Sequence, residues 1–422
     1  MDQLNNSNEA MNAATESSSA AERPHTAATQ RTSAENKHAS PSSSQRRLRI
    51  LIVAPSLGIL GGQAVQATRL LARFSEEPSL EVSFLPINPR LPGLFGKLQK
   101  IKYVRTVLTS LAYVALLLWR VRSFDVIHIF SASYFSFVLA PTPAILISKL
   151  YGKKIVLNYR SGHAEGHLKR YRRTAIPTMR LADVLVVPSA YLVGVFSRFG
   201  LHARSIYNFV DTARYRFRRR SPLRPHFFSN RNFEPLYNVA CTLRAFSIIQ
   251  RRFPDATLLV AGDGSQRAEL ERLAQELDLK NTTFVGRVEQ SRMHELYERA
   301  DIYLNSSNID NMPGSLIESY AAGLPVVTTD AGGIPFILTH EETGLMVERG
   351  DHEAMAACAI RLLEDDALAA RIASNALAAC RQYSWEAVRE EWLKLYFGLA
   401  DKNVARLPAT LSSQVEGDTT NV

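Results

Sequence analysis

Apolar and polar positions along the chain change their period repeatedly. From Arg46, "RRLRILIVAPSLGIL" is a short apolar run, and in the "GGQAVQATRLLARF" that follows, Val65, Leu70, Leu71 and Phe74 fall at helical spacing. The pair reads as a strand, a glycine-containing loop and an amphipathic helix, which is how a Rossmann-like α/β unit opens. The runs "LEVSFLPI", "DVIHIFS", "KKIVLNYR" and "ADVLVVPS" come next, separated by helical segments, and "SIYNFVD" (205 to 211) reads as one more strand. Strands that are apolar on both faces belong in a parallel sheet covered by helices on each side.

Periodicity is lost in "TARYRFRRRSPLRP", which gains arginine and proline, so a domain boundary is expected at 212 to 224. A second alternation then runs "HFFSNRNF" strand, "YNVACTLRAFSIIQRRF" helix, "ATLLVAGDG" strand, "SQRAELERLAQEL" helix, "TTFVG" strand, "RMHELYERA" helix and "DIYLNSS" strand. The reading divides the chain into a disordered tail (1–47), a first domain (48–212) and a second (213–384). A helix at 385–400 around Trp385, Trp392 and Tyr396 is expected to pack back on the first domain, ahead of a loose tail (401–422). Two doubly wound sheets would face each other, with ligands gathering outside the carboxyl ends of their strands, in a cleft between the domains.

Composition agrees with this division. A chain of 422 residues is too long for one ordinary core. The first 47 residues hold almost no bulky apolar side chains and cannot offset the entropy of ordering, nor do they carry the apolar centre of a secretory signal. Three cysteines without a CxxC pair fit reduced thiols, and the expected setting is the cytoplasm. The net charge of +10 is uneven: from Lys97 to Arg180 fifteen Lys or Arg stand against two acids, Asp125 and Glu165. A solvated surface is the plain reading, and attraction to anionic lipid or a phosphate-bearing substrate is the sharper one. Nucleic acid ranks below both, since no recognised binding module is present. Within this stretch "VLTSLAYVALLLW" (107 to 119) is short of the roughly 20 residues that cross hydrocarbon. It reads as a core helix or as a helix lying on the inner membrane face, with the core somewhat favoured.

The densest candidate chemistry lies in "IDNMPGSLIESYAAGLPVVTTDAGG", where Asp310 and Glu318 flank a Pro-Gly pair. Pro313 suits the first helical position, so a helix is expected to start at Pro313 or Gly314. Leu316, Ile317, Tyr320 and Ala321 form its apolar stripe, leaving Glu318 to face something polar, and Gly323-Leu324-Pro325 closes it. Free amides at such a start suit an anion.

Taken in order over residues 48 to 400, the motifs resemble retaining glycosyltransferases of family 4, which have the GT-B fold. The resemblance rests on "GGQAVQATRLLA", "DVIHIFS" and "IYNFVDTARY" in the first half. In the second half it rests on "LLVAGDGSQRAELERLAQELDL", "TTFVGRV", "ADIYLNSSNIDNMPGSLIESYAAGLPVVTTDAGGIPFIL" and "TGLMVERGD". It implies two Rossmann-like domains facing across a cleft, and transfer of a sugar from a nucleotide-sugar donor, UDP- or GDP-linked, to a glycan or lipid-linked acceptor. Glu318 would hold the ribose hydroxyls and Asp310 would sit near the transferred sugar. The backbone of Asn311, Met312, Pro313, Gly314 and Ser315 would line the diphosphate pocket, with Gly61 and Gly62 as a second wall. His163, in "NYRSGHAEGH", would stand beside the reacting sugar; a zinc reading of His163, Glu165 and His167 lacks a third evident ligand and the HExxH order.

Two departures from the family pattern stand out. Arg231 matches an arginine that is usually followed, after four intervening residues, by a lysine, but that position is Leu236, which leaves Arg231 as the clamp on the leaving phosphates. Asp310 replaces the usual glutamate and reaches one methylene less far. No DxD occurs, and the resemblance implies no cofactor and no metal. An anionic membrane surface is a further expected partner, whereas nucleic acid is not. A decayed, non-catalytic scaffold and a nucleotide-sugar epimerase remain as alternatives.

Overall fold

The structure is a computed structural model in which residues 46–56, 62–131 and 133–400 are described. The segments read as tails, 1–45 and 401–422, fall outside them, as does Gly61. The strands form two six-stranded sheets. The first contains β1 (Leu48–Ala54), β2 (Leu80–Pro86), β3 (Val126–Ser131), β4 (Lys154–Tyr159), β5 (Val184–Val187) and β6 (Ala203–Ser205), in the order β2-β1-β3-β4-β5-β6. The second contains β7 (His226–Asn230), β8 (Thr257–Ala261), β9 (Thr282–Gly286), β10 (Ile302–Asn305), β11 (Val326–Thr329) and β12 (Leu345–Val347), in the order β12-β11-β10-β7-β8-β9. All pairings between these strands are parallel.

Alternate residues of each strand feed opposite cores, which is why the strand sequences are apolar throughout. Leu51, Val53, Ile129 and Leu157 share one core of the first sheet, while Ile50, Ile52, Val126 and Val156 share the other. In β7, Phe227 and Phe228 likewise enter different clusters. The helix Trp385–Leu399, capped by Ser384 accepting from the Ala387 amide at 3.3 Å, buries Trp392 and Tyr396 in the cluster that holds Ile50, Ile52 and Phe74.

Two expectations are corrected, and a third stretch gains a role that its composition did not show. The residues 205 to 211 read as a strand are not one; β6 ends at Ser205, and the segment that follows is apolar because it is enclosed by both halves. Ile206, Phe209 and Val210 are buried, the Phe209 carbonyl accepts from Gln66 and Arg69, and the Val210 amide donates to the Tyr383 carbonyl. The helix Lys102–Arg120 is no core helix, since only Tyr113 and Leu117 of it are buried. The arginines near 218 to 224, read as a change in composition, converge on the buried Asp301: Arg220 Nε lies 3.3 Å and Arg224 Nη2 3.0 Å from its Oδ1. Arg220 also donates to the carbonyls of Tyr297, Ala300, Ala322 and Gly323, and so covers the carboxyl ends of two helices, Met293–Arg299 and Gly314–Ala322.

Strand order reverses between β1 and β3 and again between β7 and β10. Those switch points, outside the strands' carboxyl ends, are where an open parallel sheet leaves room for a ligand.

Candidate functional site

Loops that leave the carboxyl ends of both sheets enclose a cleft of about 690 Å³. From the second half come Arg231 just after β7, Gly262 to Gly264 after β8, Arg287 after β9 and Ile309 to Ser315 after β10. Opposite them stand Gly62, Gln66 and Arg69 of the helix Gly62–Ser75, and Arg160 to His163 after β4.

Two glycines let backbones pack closely enough to fix this geometry. A Cβ on Gly262 would lie 2.1 Å from the Arg231 carbonyl oxygen, and one on Gly333 would lie 1.8 Å from that of Asn311. The loops that carry the cation and the acid therefore rest directly on neighbouring backbone.

The helix expected at Pro313 or Gly314 runs Gly314–Ala322, with Pro313 just before it and Gly323 closing it at φ +75°. It is not amphipathic: every residue from Ser315 to Ala322 is buried, because other elements enclose it on all sides. Glu318 is thus 5 % exposed rather than on an open face, and its carboxylate accepts from Arg69 Nη2 (2.9 Å), Gln290 Nε2 (3.2 Å) and the Tyr297 hydroxyl (3.0 Å). Burial, and then the Glu318 charge, hold the Tyr297 phenol well above its usual pKa, so it donates as a neutral group. Among the described residues, the Gly314 and Ser315 amides have no acceptor, as the first turn of a helix requires.

Asp310 is ion-paired with Arg231, and its Oδ1 accepts from the Asn311 amide at 2.8 Å. Arg231 reaches Ser315 Oγ at 3.3 Å and lies over the Tyr237 ring at 4.3 Å, and its Nε has no partner among the described residues. Burial works against the Arg231 charge, but Asp310 and nearby tyrosines outweigh it and raise its pKa. Leu236 lines the cleft where a lysine was missed. Met312 turns its sulfur to the Asn208 amide at 3.1 Å, Asn311 Oδ1 accepts from Ser189 at 2.6 Å, and Asn311 Nδ2 is buried with no partner among the described residues. Gly62 and His163 both face the cleft.

His163, Glu165 and His167 are not gathered. Glu165 pairs with Lys169 and Arg198, while His167 is buried against the Tyr159 hydroxyl at 3.0 Å, and burial pushes its pKa down to about 4. No group of three ligating side chains that could hold a metal occurs among the described residues.

Sequence reading passed over Arg160, Arg69, Gln290 and Tyr297. Arg160 stands at the carboxyl end of β4, a position that could have flagged it; nothing local marks the other three. Arg160 Nε donates to Asn158 Oδ1 at 3.0 Å, the guanidinium lies over the Phe130 ring at 5.3 Å, and Nη1 is buried with no partner among the described residues. Burial brings its pKa down to about 9, and no carboxylate pairs with it among the described residues. Asn158 Nδ2 donates in turn to His128 Nε2 (2.9 Å), which leaves His128 Nδ1–H for the Tyr396 hydroxyl (2.6 Å). Burial, and secondarily Arg160, lower the His128 pKa to about 3.

Two parallel α/β halves with a cleft between them, lined by strand-end loops and a helix start, define the GT-B architecture, and solved structures agree. Anabaena Alr3699/HepE in complex with UDP-glucose superposes with a TM-score of 0.66 at 19 % identity, over 83 % of this chain and 99 % of that one. Sucrose-phosphate synthase from Thermosynechococcus elongatus gives 0.65 at 19 %, over 84 % and 99 %. Residues 214–378 match the family described as "Glycosyl transferases group 1". Among curated proteins, N-acetyl-alpha-D-glucosaminyl L-malate synthase of Bacillus anthracis is 28 % identical over 213 residues, 47 % of this chain and 55 % of that protein. Phosphatidyl-myo-inositol mannosyltransferase of Mycolicibacterium smegmatis is 31 % identical over 170 residues, 40 % and 44 % respectively. The chain spans about half the length of these curated relatives.

Proposed function

We propose that the chain transfers a sugar from a nucleoside diphosphate donor to an acceptor hydroxyl, with retention at the anomeric carbon. The observation that carries this is the meeting, in one cleft, of Asp310 and Glu318, of a helix start whose first amides have no acceptor among the described residues, and of Arg160, Arg231 and Arg287. Carboxylates accept from the hydroxyls of a ribose and a sugar, and amides and guanidinium groups stabilise a diphosphate whose charge grows as it leaves.

In this reading Glu318 takes the ribose, exchanging Arg69 or Gln290 for sugar hydroxyls, and Asp310 faces the transferred sugar near His163. The bond from the anomeric carbon to the phosphate oxygen breaks, the acceptor oxygen bonds to that carbon on the same face, and the acceptor proton passes to the departing phosphate. The protein needs no nucleophile of its own for this route, and its contribution is positioning and charge. Arg160 and Arg287 supply positive charge in the cleft that the missing lysine does not. The donor is bound as substrate, without a metal or cofactor in this scheme. A cytoplasmic setting fits the free thiols of Cys241, Cys358 and Cys380. The acceptor class we favour is a lipid-linked or surface-polysaccharide precursor, a choice supported by the mannosyltransferase relative and by Rhizobium meliloti LpsD, a lipopolysaccharide core biosynthesis glycosyltransferase 30 % identical over 151 residues.

One observation favours a second reading, a donor-binding protein that does not turn over: Leu236 replaces the lysine, and Arg231 is already neutralised by Asp310. Incubation with UDP- and GDP-sugars and acceptor glycans separates the two. Transfer predicts release of nucleoside diphosphate that depends on acceptor, and a product whose anomeric proton coupling matches the donor's. No release with any pair supports the second reading, and release with an inverted product removes the retaining scheme.

A further inference from the structure

Helix Lys102–Arg120 carries an apolar stripe that nothing among the described residues covers. Tyr103, Val107, Leu111, Leu118 and Trp119 recur on one face and are 79, 59, 64, 41 and 63 % exposed. The opposite face is anchored: Tyr113 and Leu117 are fully buried, and the Tyr113 hydroxyl donates to the Ala140 carbonyl at 3.0 Å. Neighbouring elements extend the exposed face. Gln99, just past the helix Gly93–Leu98, donates to Thr109 at 3.0 Å, so Leu94 and Phe95 of that helix, both largely exposed, lie beside the long one. At the far end the Tyr151 hydroxyl donates to the Leu118 carbonyl at 3.1 Å, which brings exposed Leu150 alongside. A contiguous apolar face of this kind marks an interaction site.

Charge identifies the partner. From Val82 to Ala164 eleven Lys or Arg stand against one acid, Asp125, and Arg46 and Arg49 already neutralise it. Lys97, Lys100, Lys102 and Arg105 sit at one end of the stripe and Arg122 at the other, and none of them pairs with a carboxylate among the described residues. Residues Lys102–Ser123 are long and apolar enough to cross a membrane. Crossing would pull Tyr113 and Leu117 out of the core, whereas lying flat would not.

We infer that this face docks on an anionic lipid surface, with the stripe at the acyl boundary and the flanking cations among the headgroups. A second copy of the chain is the poorer occupant, because it would bring an equally basic rim onto this one. The inference does not depend on the transfer reading, and its test does not measure transfer.

The test is flotation of the full chain with vesicles of phosphatidylcholine alone or with one third phosphatidylglycerol. The wild-type protein should float with the anionic vesicles, be released by high salt, and stay in solution with the neutral ones. Replacing Lys97, Lys100 and Lys102 together by Gln should weaken binding roughly a hundredfold. The double variant Leu111→Gln, Trp119→Gln should weaken it while leaving the thermal unfolding midpoint unchanged, since both side chains are exposed. Absence of wild-type binding to either vesicle overturns the inference, as does binding that both variants retain in full. Sedimentation showing a dimer that the double variant abolishes, in place of lipid binding, overturns it in favour of a second copy.

Discussion

Glu318 is buried with three donors on its two oxygens, so it cannot take up a ribose without giving something back. In the proposed exchange a sugar hydroxyl would replace the neutral Gln290 amide at little cost, whereas displacing the cationic Arg69 would cost more, offset in part because Arg69 keeps the Phe209 carbonyl as a partner. Arg160 is in the opposite position, with a guanidinium set into the cleft wall and no carboxylate paired with it among the described residues. A ligand that brings negative charge would relieve that cost. Calorimetric titration of nucleoside diphosphate and nucleoside into Arg160→Met and Arg231→Met should show a loss of about 1.5 to 3 kcal/mol for the diphosphate and little change for the nucleoside; equal losses would argue against phosphate contacts. His128 carries a pH signature. Its pKa is about 3 when folded against an ordinary 6.5, so below pH 6.5 the unfolded chain binds a proton that the folded chain refuses. The stability this group contributes is complete above pH 6.5 and is lost as pH falls toward 3, at about 1.4 kcal/mol per pH unit. Urea unfolding at pH 7 and pH 5 should show that slope, and His128→Gln should flatten it. Asp310 and Arg231 were both legible in the sequence, one from its loop before a Pro-Gly start and the other from its match to the family's arginine, although the sequence placed Arg231 inside the strand that ends at Asn230. Their mutual ion pair was not, because it joins loops that follow two different strands.

The Gly314–Ala322 helix shows what local pattern conveys and what it hides. Its start and stop were readable because proline and glycine act through their own backbones. Its burial was not, since the surroundings of Glu318 come from Arg69, 249 residues earlier in the chain, and from Gln290 and Tyr297. The arginine-rich stretch before β7 hid its role for a related reason: on sequence it shows only lost periodicity and a domain boundary, yet Arg220 is a buried cap on the carboxyl end of the site helix. Arg220→Met should therefore remove a donor from the carbonyls of Arg218, Tyr297, Ala300, Ala322 and Gly323 and one of the cations that pair with the buried Asp301, costing about 3 to 5 kcal/mol in denaturant unfolding. A change within about 0.5 kcal/mol, the range of surface substitutions, would show that the cap does not hold the helix.

The two-sheet architecture was legible because fully apolar strands alternating with helices admit few arrangements, and a parallel sheet with both faces covered is the favoured one. The sixth strand of the first half was misplaced at 205 to 211: β6 is Ala203–Ser205, and the chain that follows, running between the halves, is as apolar as a strand. The extent of the exposed face on Lys102–Arg120 was equally hidden, since composition does not say which side of an apolar helix is covered. The account as a whole places an activated sugar in the cleft between the sheets, and binding to the native state alone must raise stability, by about 2.7 kcal/mol at a hundred times the dissociation constant. The most direct measurement is the thermal unfolding midpoint across a panel of UDP-, GDP- and ADP-sugars, for the wild-type chain and for Glu318→Ala. The account predicts that at least one donor raises the wild-type midpoint and that Glu318→Ala erases the rise. A wild-type chain that responds to no donor, or a rise that survives in Glu318→Ala, would contradict it.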